Sequence, residues 1–548
     1  MRLFGLIGPL AGWELRRLAR RGQALRVWLL LLYTLVLVLV VFAAVWFSPQ
    51  PVREIFSALR NLSANEAAAF ADRFLIVLLE TQLVAIVALT PGLATSAVAE
   101  EKDRQTLPLL LTTQLTDREI VFGKAAGRIA FMLTAITASF PLLMLTLFFG
   151  KVQLSFLLAG YAITISTVML CAAIGVHAAC TAPDFRSAIL RAYVRTAVLV
   201  GGTLVPPLVF ASPFGVLIVI HNQFDAPELA LALSCAYPLV QVLIALLLLS
   251  RAARSLRLRE PTAGPPLVSA FPLPPRPADP PLLPPEEPRV LTLPPVDGAN
   301  PILWKERCVG WRPSWAVPSV GKILSVGSAA LAMVFFVWGG WVLLQRVSMV
   351  FDPLQVERLA NRSDAPDAGG TLLTAAGVFA AGRYLLPLAL GITGAIAGER
   401  FRRTLDVLLS TPLDRRKILR AKLQAHIERG TAFAAIAVAA VGMAFTADAD
   451  VTLGITAAVL MLSGFGLVIG LGAYLTVYCA TDVRAFRLIL PLTMVAVGWP
   501  VGAWNLLRFD EDVPRPLLVY GLQIVAGVWT IAGVVLWWLA ERRLVRGE

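Results

Sequence analysis

The sequence predicts an all-α integral membrane protein of about twelve transmembrane helices, arranged as two homologous six-helix halves with matching short helices on the cytoplasmic side. Three observations carry this. The 548 residues are 57% hydrophobic and only 15% charged, with a mean hydropathy of +0.75, whereas a soluble domain carries about 25% charged residues. The apolar residues fall in blocks long enough to cross about 30 Å of hydrocarbon at about 1.5 Å per residue. Finally, the chain repeats itself: EKDRQTLPLLLTTQLTDREIVFGK, from Glu101 to Lys124, aligns without a gap with ERFRRTLDVLLSTPLDRRKILRAK, from Glu399 to Lys422, at an offset of 399 − 101 = 298. Asp184-Phe-Arg186 and Asp482-Val-Arg484 keep the same offset, so the intervening chain has kept its length in both copies.

The apolar blocks come in order near 27–47, 74–98, 129–149, 154–178, 196–220 and 229–250, and again near 323–344, 372–397, 430–447, 452–478, 486–506 and 517–540. The first is too long for the apolar region of a signal peptide and reads as a retained span. Pro206, Pro207 and Pro213 leave open whether 196–220 is one span or a span with a re-entrant turn. Cations gather before the first block (Arg16, Arg17, Arg20, Arg21), after the second (Lys102, Arg104, Arg118, Lys124) and after the fourth (Arg186, Arg191, Arg195), and the second half repeats the pattern. The excess of Lys and Arg therefore places both termini and both repeated loops in the cytoplasm of a multi-pass protein of the cell membrane.

Three units follow: a first half at 1–250, a cytoplasmic linker at 251–300 and a second half at 301–548. The linker is dense in proline from Pro261 to Pro301, which removes backbone donors and favours extended polyproline II. Near the start of each half lies a Pro-Trp-Glu segment, Pro9 to Arg16 and Pro301 to Arg307. It reads either as a short helix in the headgroup layer or as a plain basic anchor. Gly464, Gly466, Gly470 and Gly472 give the small-residue spacing of close helix packing.

The formal charge of +13 flanks the spans, so topology and anionic lipid account for it and no nucleic-acid partner is expected. Five cysteines show no CxxC pair and three histidines share no ligand spacing, so no metal site is expected. No G-x-x-x-x-G-K-[ST] loop occurs, since Gly123-Lys124 and Gly321-Lys322 lack the upstream glycine and the following hydroxyl residue.

The repeated loop is patterned for structure. Leu107, Leu110 and Leu111, like Leu405, Leu408 and Leu409, recur at i, i+3 and i+4 and form one apolar helical stripe. A break follows at Thr112-Thr-Gln114 and Ser410-Thr-Pro412, and then Thr116 with Glu119 spells a capping box where Asp414 stands in the second copy. Glu101 and Glu399 end their spans near the negative pole of the helix dipole, a mildly unfavourable place that points either to a salt bridge, within the chain or to a partner, or to an ordinary solvated end charge. Inside the membrane, Glu80 and Arg383 lie on equivalent second spans. They either meet across the pseudo-twofold as a gate or pathway lining, or snorkel to the outer interface.

This loop, with its Glu, basic residues, Thr-Leu, Leu-Leu, Thr, Leu, Ile and Lys in both copies, resembles the loop after the second span in permeases of the ABC-2 exporter family, and the Pro-Trp-Glu segments resemble that family's pre-span elbow. The resemblance covers both halves. It implies a permease that forms the translocation pathway between its halves, with coupling helices that dock on two copies of a separate cytoplasmic ATPase. ATP and Mg would be bound by that partner, and this chain would bind no cofactor and catalyse no hydrolysis. On this basis Glu101, Thr106, Leu107, Leu110, Leu111 and Lys124, with Glu399, Thr404, Leu405, Leu408, Leu409 and Lys422, are the expected docking and coupling residues. The competing classes are an ion-coupled secondary transporter, which would carry acids at mid-membrane, and an intramembrane enzyme, for which nucleophile, base and metal ligands are scarce. The transported substrate is not legible in the residues.

Overall fold

The computed structural model describes residues 64–103, 106–148, 154–182, 185–201, 210–222, 227–258, 301–308, 368–401, 404–445, 451–479 and 515–546, with scattered helical residues between 12 and 39 and between 485 and 496. Among these residues the chain is helical throughout. In the first half, α1 (Ala64–Asp103) leads into the short α2 (Leu107–Leu111) and α3 (Asp117–Ile136). A 3-10 turn at Thr137–Ser139 then joins α4 (Phe140–Phe148), followed by α5 (Leu154–Thr181), α6 (Phe185–Gly201), α7 (Pro213–Asn222) and α8 (Pro227–Leu258). The second half runs through α9 (Pro301–Cys308), α10 (Ala368–Phe401), the short α11 (Leu405–Leu409), α12 (Arg415–Glu428), α13 (Thr431–Phe445), α14 (Val451–Tyr478) and α15 (Arg515–Arg546).

The repeat is visible in the helices themselves. α2 and α11 share the same length at the offset of 298 seen in the sequence, and α10 and α14 stand where α1 and α5 stand in the first copy. Six helices among the described residues are long and apolar enough to cross a membrane: Phe70–Lys102, Leu154–Thr181, Ala230–Leu256, Ala376–Arg400, Val451–Tyr478 and Val519–Arg546, with a seventh if α12 and α13 form one bent span. They coincide with the second, fourth and sixth apolar blocks of each half. The blocks at 27–47, 323–344 and 486–506 lie wholly or largely outside the described residues, as does the proline-rich linker beyond 258. α8 continues past residue 250 through Arg251 and Arg254 to Leu258, because nothing in that basic stretch breaks a helix.

Each half packs its fourth-block helix between the other two: α5 lies against α1 and α8, and α14 against α10 and α15. The two halves make these crossings differently. In the second, Gly466 and Gly470 of α14 meet Gly533 of α15 so closely that a Cβ at Gly470 or Gly533 would collide with the facing backbone, as small-residue packing requires. In the first, α5 and α8 are joined by hydrogen bonds: the Ser166 and Thr167 hydroxyls donate to Gln241 Oε1 at 2.5 and 3.3 Å, while Gln241 Nε2 donates within α8 to the Tyr237 hydroxyl at 3.0 Å. Such interhelical bonds in a membrane contribute about 0.6 kcal/mol each. The outward faces of α8 and α15, with Leu239, Leu243, Ile531 and Val534 exposed, are apolar because they face lipid tails.

One continuous apolar core runs through both halves, taking Val98, Phe185 and Leu190 from the first and Leu388, Ile392 and Phe486 from the second. Where the second-half helix after the short helix breaks, Gly430 adopts φ +87 and the chain bends by 59° between α12 and α13. Only glycine takes that conformation at little cost.

Candidate functional site

The two repeated loops fold into the same object. At the end of α1 the Thr106 N–H donates to the Glu101 carbonyl at 2.9 Å, and at the end of α10 the Thr404 N–H donates to the Glu399 carbonyl at 3.0 Å. Each bond satisfies a carbonyl that the helix end leaves open and turns the chain into the short helix. At the far end of that helix, side chains take over the same task. Thr112 and Thr113 hydroxyls donate to the Leu109 and Leu110 carbonyls at 2.8 and 2.7 Å. Ser410 and Thr411 do the same for Val407 and Leu408, at 2.8 and 2.7 Å. α3 then starts with a complete capping box, in which Thr116 N–H donates to Glu119 Oε2 at 2.8 Å and Glu119 N–H donates to the Thr116 hydroxyl at 3.3 Å. These bonds from Thr116, the backbone one foremost, hold the Glu119 carboxyl below its ordinary range. In α12, Asp414 accepts from the Arg416 N–H at 3.1 Å in the matching cap position.

The apolar stripe of each short helix faces its own half. Leu107 is fully buried, with Leu110 and Leu111 packed on the main core. Leu405 packs on the same core, while Leu408 and Leu409 pack on Ile302, Ile418 and Ala421. The opposite face carries one exposed apolar side chain per copy, Leu109 and Val407, each 69% exposed and related by the same offset of 298. The stripe fastens the short helix, and the tip stays exposed.

Behind each short helix lies a buried ionic joint. Lys124 Nζ reaches Glu101 Oε1 at 2.5 Å and Glu14 Oε1 at 3.3 Å, with Arg128 at 3.7 Å from the other Glu14 oxygen. Lys422 Nζ reaches Glu306 Oε1 at 2.7 Å and Glu399 Oε1 at 2.9 Å. Lys124 and Glu14 are 1% and 2% exposed, and Lys422 is 4% exposed. A lysine removed from water this completely needs paired carboxylates, and each carboxylate needs the lysine. The joint therefore ties three separate segments together: the pre-span Pro-Trp-Glu segment (Glu14, Glu306), the end of the second-block helix (Glu101, Glu399) and the helix after the short one (Lys124, Lys422). Glu399 also accepts a short hydrogen bond from the Thr404 hydroxyl.

A second repeated contact sits beside it. Lys102 Nζ donates to the Cys180 carbonyl at 3.2 Å, and Arg400 Nη1 donates to the Cys479 carbonyl at 3.3 Å. In each half a cation next to the joint thus covers the open carbonyls at the C-terminal end of α5 or α14, where the helix dipole favours positive charge.

Of the residues singled out from sequence, Glu101 meets Lys124, Glu399 meets Lys422, and Thr106 and Thr404 open their short helices. Glu80 and Arg383 are not brought together: among the described residues no ion pair joins them, and the Arg383 guanidinium instead lies 5.4 Å from the centre of the Phe433 ring. Asp184, Asp482 and Arg484 lie outside the described residues. Sequence reading passed over Glu14 and Glu306 as joint members, and Leu109 and Val407 as the exposed tip. An acid standing before the first span in both copies, opposite a lysine in a helix with no local partner, was the available signal.

A search of curated proteins returned no match. A family model described as ABC-2 family transporter protein matches residues 12–265 and 345–498, one region in each half. The two matches take in both repeated loops, both short helices and both lysines of the ionic joints, and together they cover most of the chain, which therefore belongs to the ABC-2 family of membrane transport proteins.

Proposed function

We propose that this chain is a complete pseudo-dimeric permease of about twelve spans, with both termini and both repeated loops in the cytoplasm. Its two short helices take force from two copies of a separate ATPase, and a substrate passes outward between the halves. The observation that carries this reading is the duplication of one mechanical unit: a short helix with an exposed apolar tip, anchored by its inner stripe and by a buried Glu–Lys–Glu joint. A passive loop has no use for such a joint, because burying three charges is costly unless rigidity is needed. A rigid lever needs it, since a push on the tip must reach the spans without being absorbed in the loop. The joint passes that push to the pre-span segment through Glu14 or Glu306 and to the second-block helix through Glu101 or Glu399. ATP and Mg belong to the partner in this reading; no residue here is assigned to them.

The test is co-purification. Co-expressed with its ATPase, the chain should retain that subunit through affinity purification, and the double substitution Leu109→Asp with Val407→Asp should remove it while the permease stays folded. Retention of the ATPase by the double variant would show that the tips are not the docking surface.

A further inference from the structure

A contact between the halves lies at the same end of the molecule as the two short helices. Arg186 opens α6 just after the end of α5, whose terminal carbonyl at Cys180 is held by Lys102 beside the first joint. Its Nη2 crosses to the other half and donates to the Gly394 carbonyl of α10 at 3.2 Å, while its Cζ lies 5.8 Å from the centre of the Phe486 ring. Phe185 stacks on the same ring with centroids 5.8 Å apart. The missing side chain at Gly394 makes room for this: a Cβ there would displace the guanidinium. One turn earlier, Gly391 leaves room for His426, whose ring a Cβ at that position would strike. His426 is buried and stands one turn beyond Lys422 on the same face of α12. The helix that carries the second joint therefore also leans on α10 beside the place where Arg186 holds it.

We propose that Arg186, seated on the Gly394 carbonyl and the Phe486 ring, is a latch that closes the short-helix end of the route between the halves, and that His426 couples it to the second short helix. The inference rests on the permease reading above, which supplies the route. Movement of α12 under load shifts His426 along α10, and α10 then carries Gly394 away from Arg186. A carbonyl acceptor suits this role because on opening both groups can bond water instead, and the bond reforms whenever the two backbones return to register. Arg186 is a positioning residue in this account; nothing requires it to touch the substrate.

The latch is tested on the full chain alone in lipid nanodiscs, without ATPase, so that a failure of docking and a failure of the latch are read separately. Spin labels are placed at Leu109→Cys and Val407→Cys in a Cys235→Ser, Cys308→Ser background, and their separation is measured by double electron–electron resonance. Arg186→Ala is expected to add a longer-distance population. Gly394→Ala should add the same population although the arginine is still present, because the methyl group displaces it, whereas Arg186→Lys, which keeps a donor, should hold the original distribution. Distributions unchanged in both Arg186→Ala and Gly394→Ala would overturn the proposal. So would a lengthening in Arg186→Ala that Gly394→Ala does not reproduce, since it would trace to lost packing rather than to the Gly394 contact.

Discussion

The two short-helix units share their fastening and differ in what surrounds it. Both have the Glu–Lys–Glu joint, the hydroxyl-capped short helix and the cation on the neighbouring helix end. At the position one turn past the joint lysine, however, the first half has Arg128, paired with Glu14, and the second has His426, packed on α10. The first half continues as an unbroken α3 to Ile136, whereas the second bends by 59° at Gly430. The second unit is also tied to the last helix: Arg420 forms a salt bridge with Glu541 at 2.6 Å, and Arg415 donates to the Leu544 carbonyl at 3.4 Å. In the first half the matching positions are Asp117 and Phe122, and Phe122 packs on the main apolar core. Repetition thus preserves the joint, and divergence falls on what the joint is connected to: the first unit is a straight lever, the second a bent lever tied to α15 and packed on α10 of its own half.

That contrast can be broken most severely at the lysines. Lys124→Met takes the lysine from Glu101 and leaves the almost fully buried Glu14 with Arg128 at 3.7 Å, and removing one partner of a buried ion pair costs about 3–5 kcal/mol. Lys422→Met strands Glu306 and Glu399, which are 14% and 20% exposed, so its cost should fall below that of Lys124→Met. Thermal unfolding of the two variants in detergent ranks them, and equal losses would mean that burial does not distinguish the joints.

The bend comes next. Gly430→Ala forces a side chain into the left-handed region, at about 1–2 kcal/mol, while an alanine at the equivalent Met132, inside the continuous α3, should show no such backbone penalty. A smaller effect is expected at the cap. Thr116→Ala should cost about 1 kcal/mol and loosen the start of α3, read as faster amide exchange at 117–120. Because the folded-state value of Glu119 is depressed, the stability it lends is present above the ordinary carboxylate range and is lost as the pH falls through the lower folded value. Exchange at the start of α3 should therefore quicken in acid, and Glu119→Gln should remove that acid dependence.

Much of this could be read from the chain itself, for identifiable reasons. The boundaries of α2 and α11 followed from an ungapped repeat in which hydroxyl and acidic caps bracket each leucine stripe, and those are local signals. The glycines of α14 announced a close crossing, and Gly533 of α15 supplies the other side of it. What escaped was long-range. Lys124 and Glu14 are far apart in sequence, and Trp13 with its arginines pointed to an interfacial anchor, which hid the acid among them. The inward stripe also follows from burial rather than from periodicity: i, i+3, i+4 spacing finds an apolar face without saying whether it packs on the chain itself or on a partner. Arg186 shows the same limit, because its acceptor is a backbone carbonyl in the other half and no side-chain pattern marks it.

The central claim is that one chain offers two working docking tips. It is tested most directly by native mass spectrometry of the purified complex, counting ATPase subunits on the wild type and on the Leu109→Asp, Val407→Asp double variant. The account predicts two subunits on the wild type and none on the double variant; two subunits on both would contradict it.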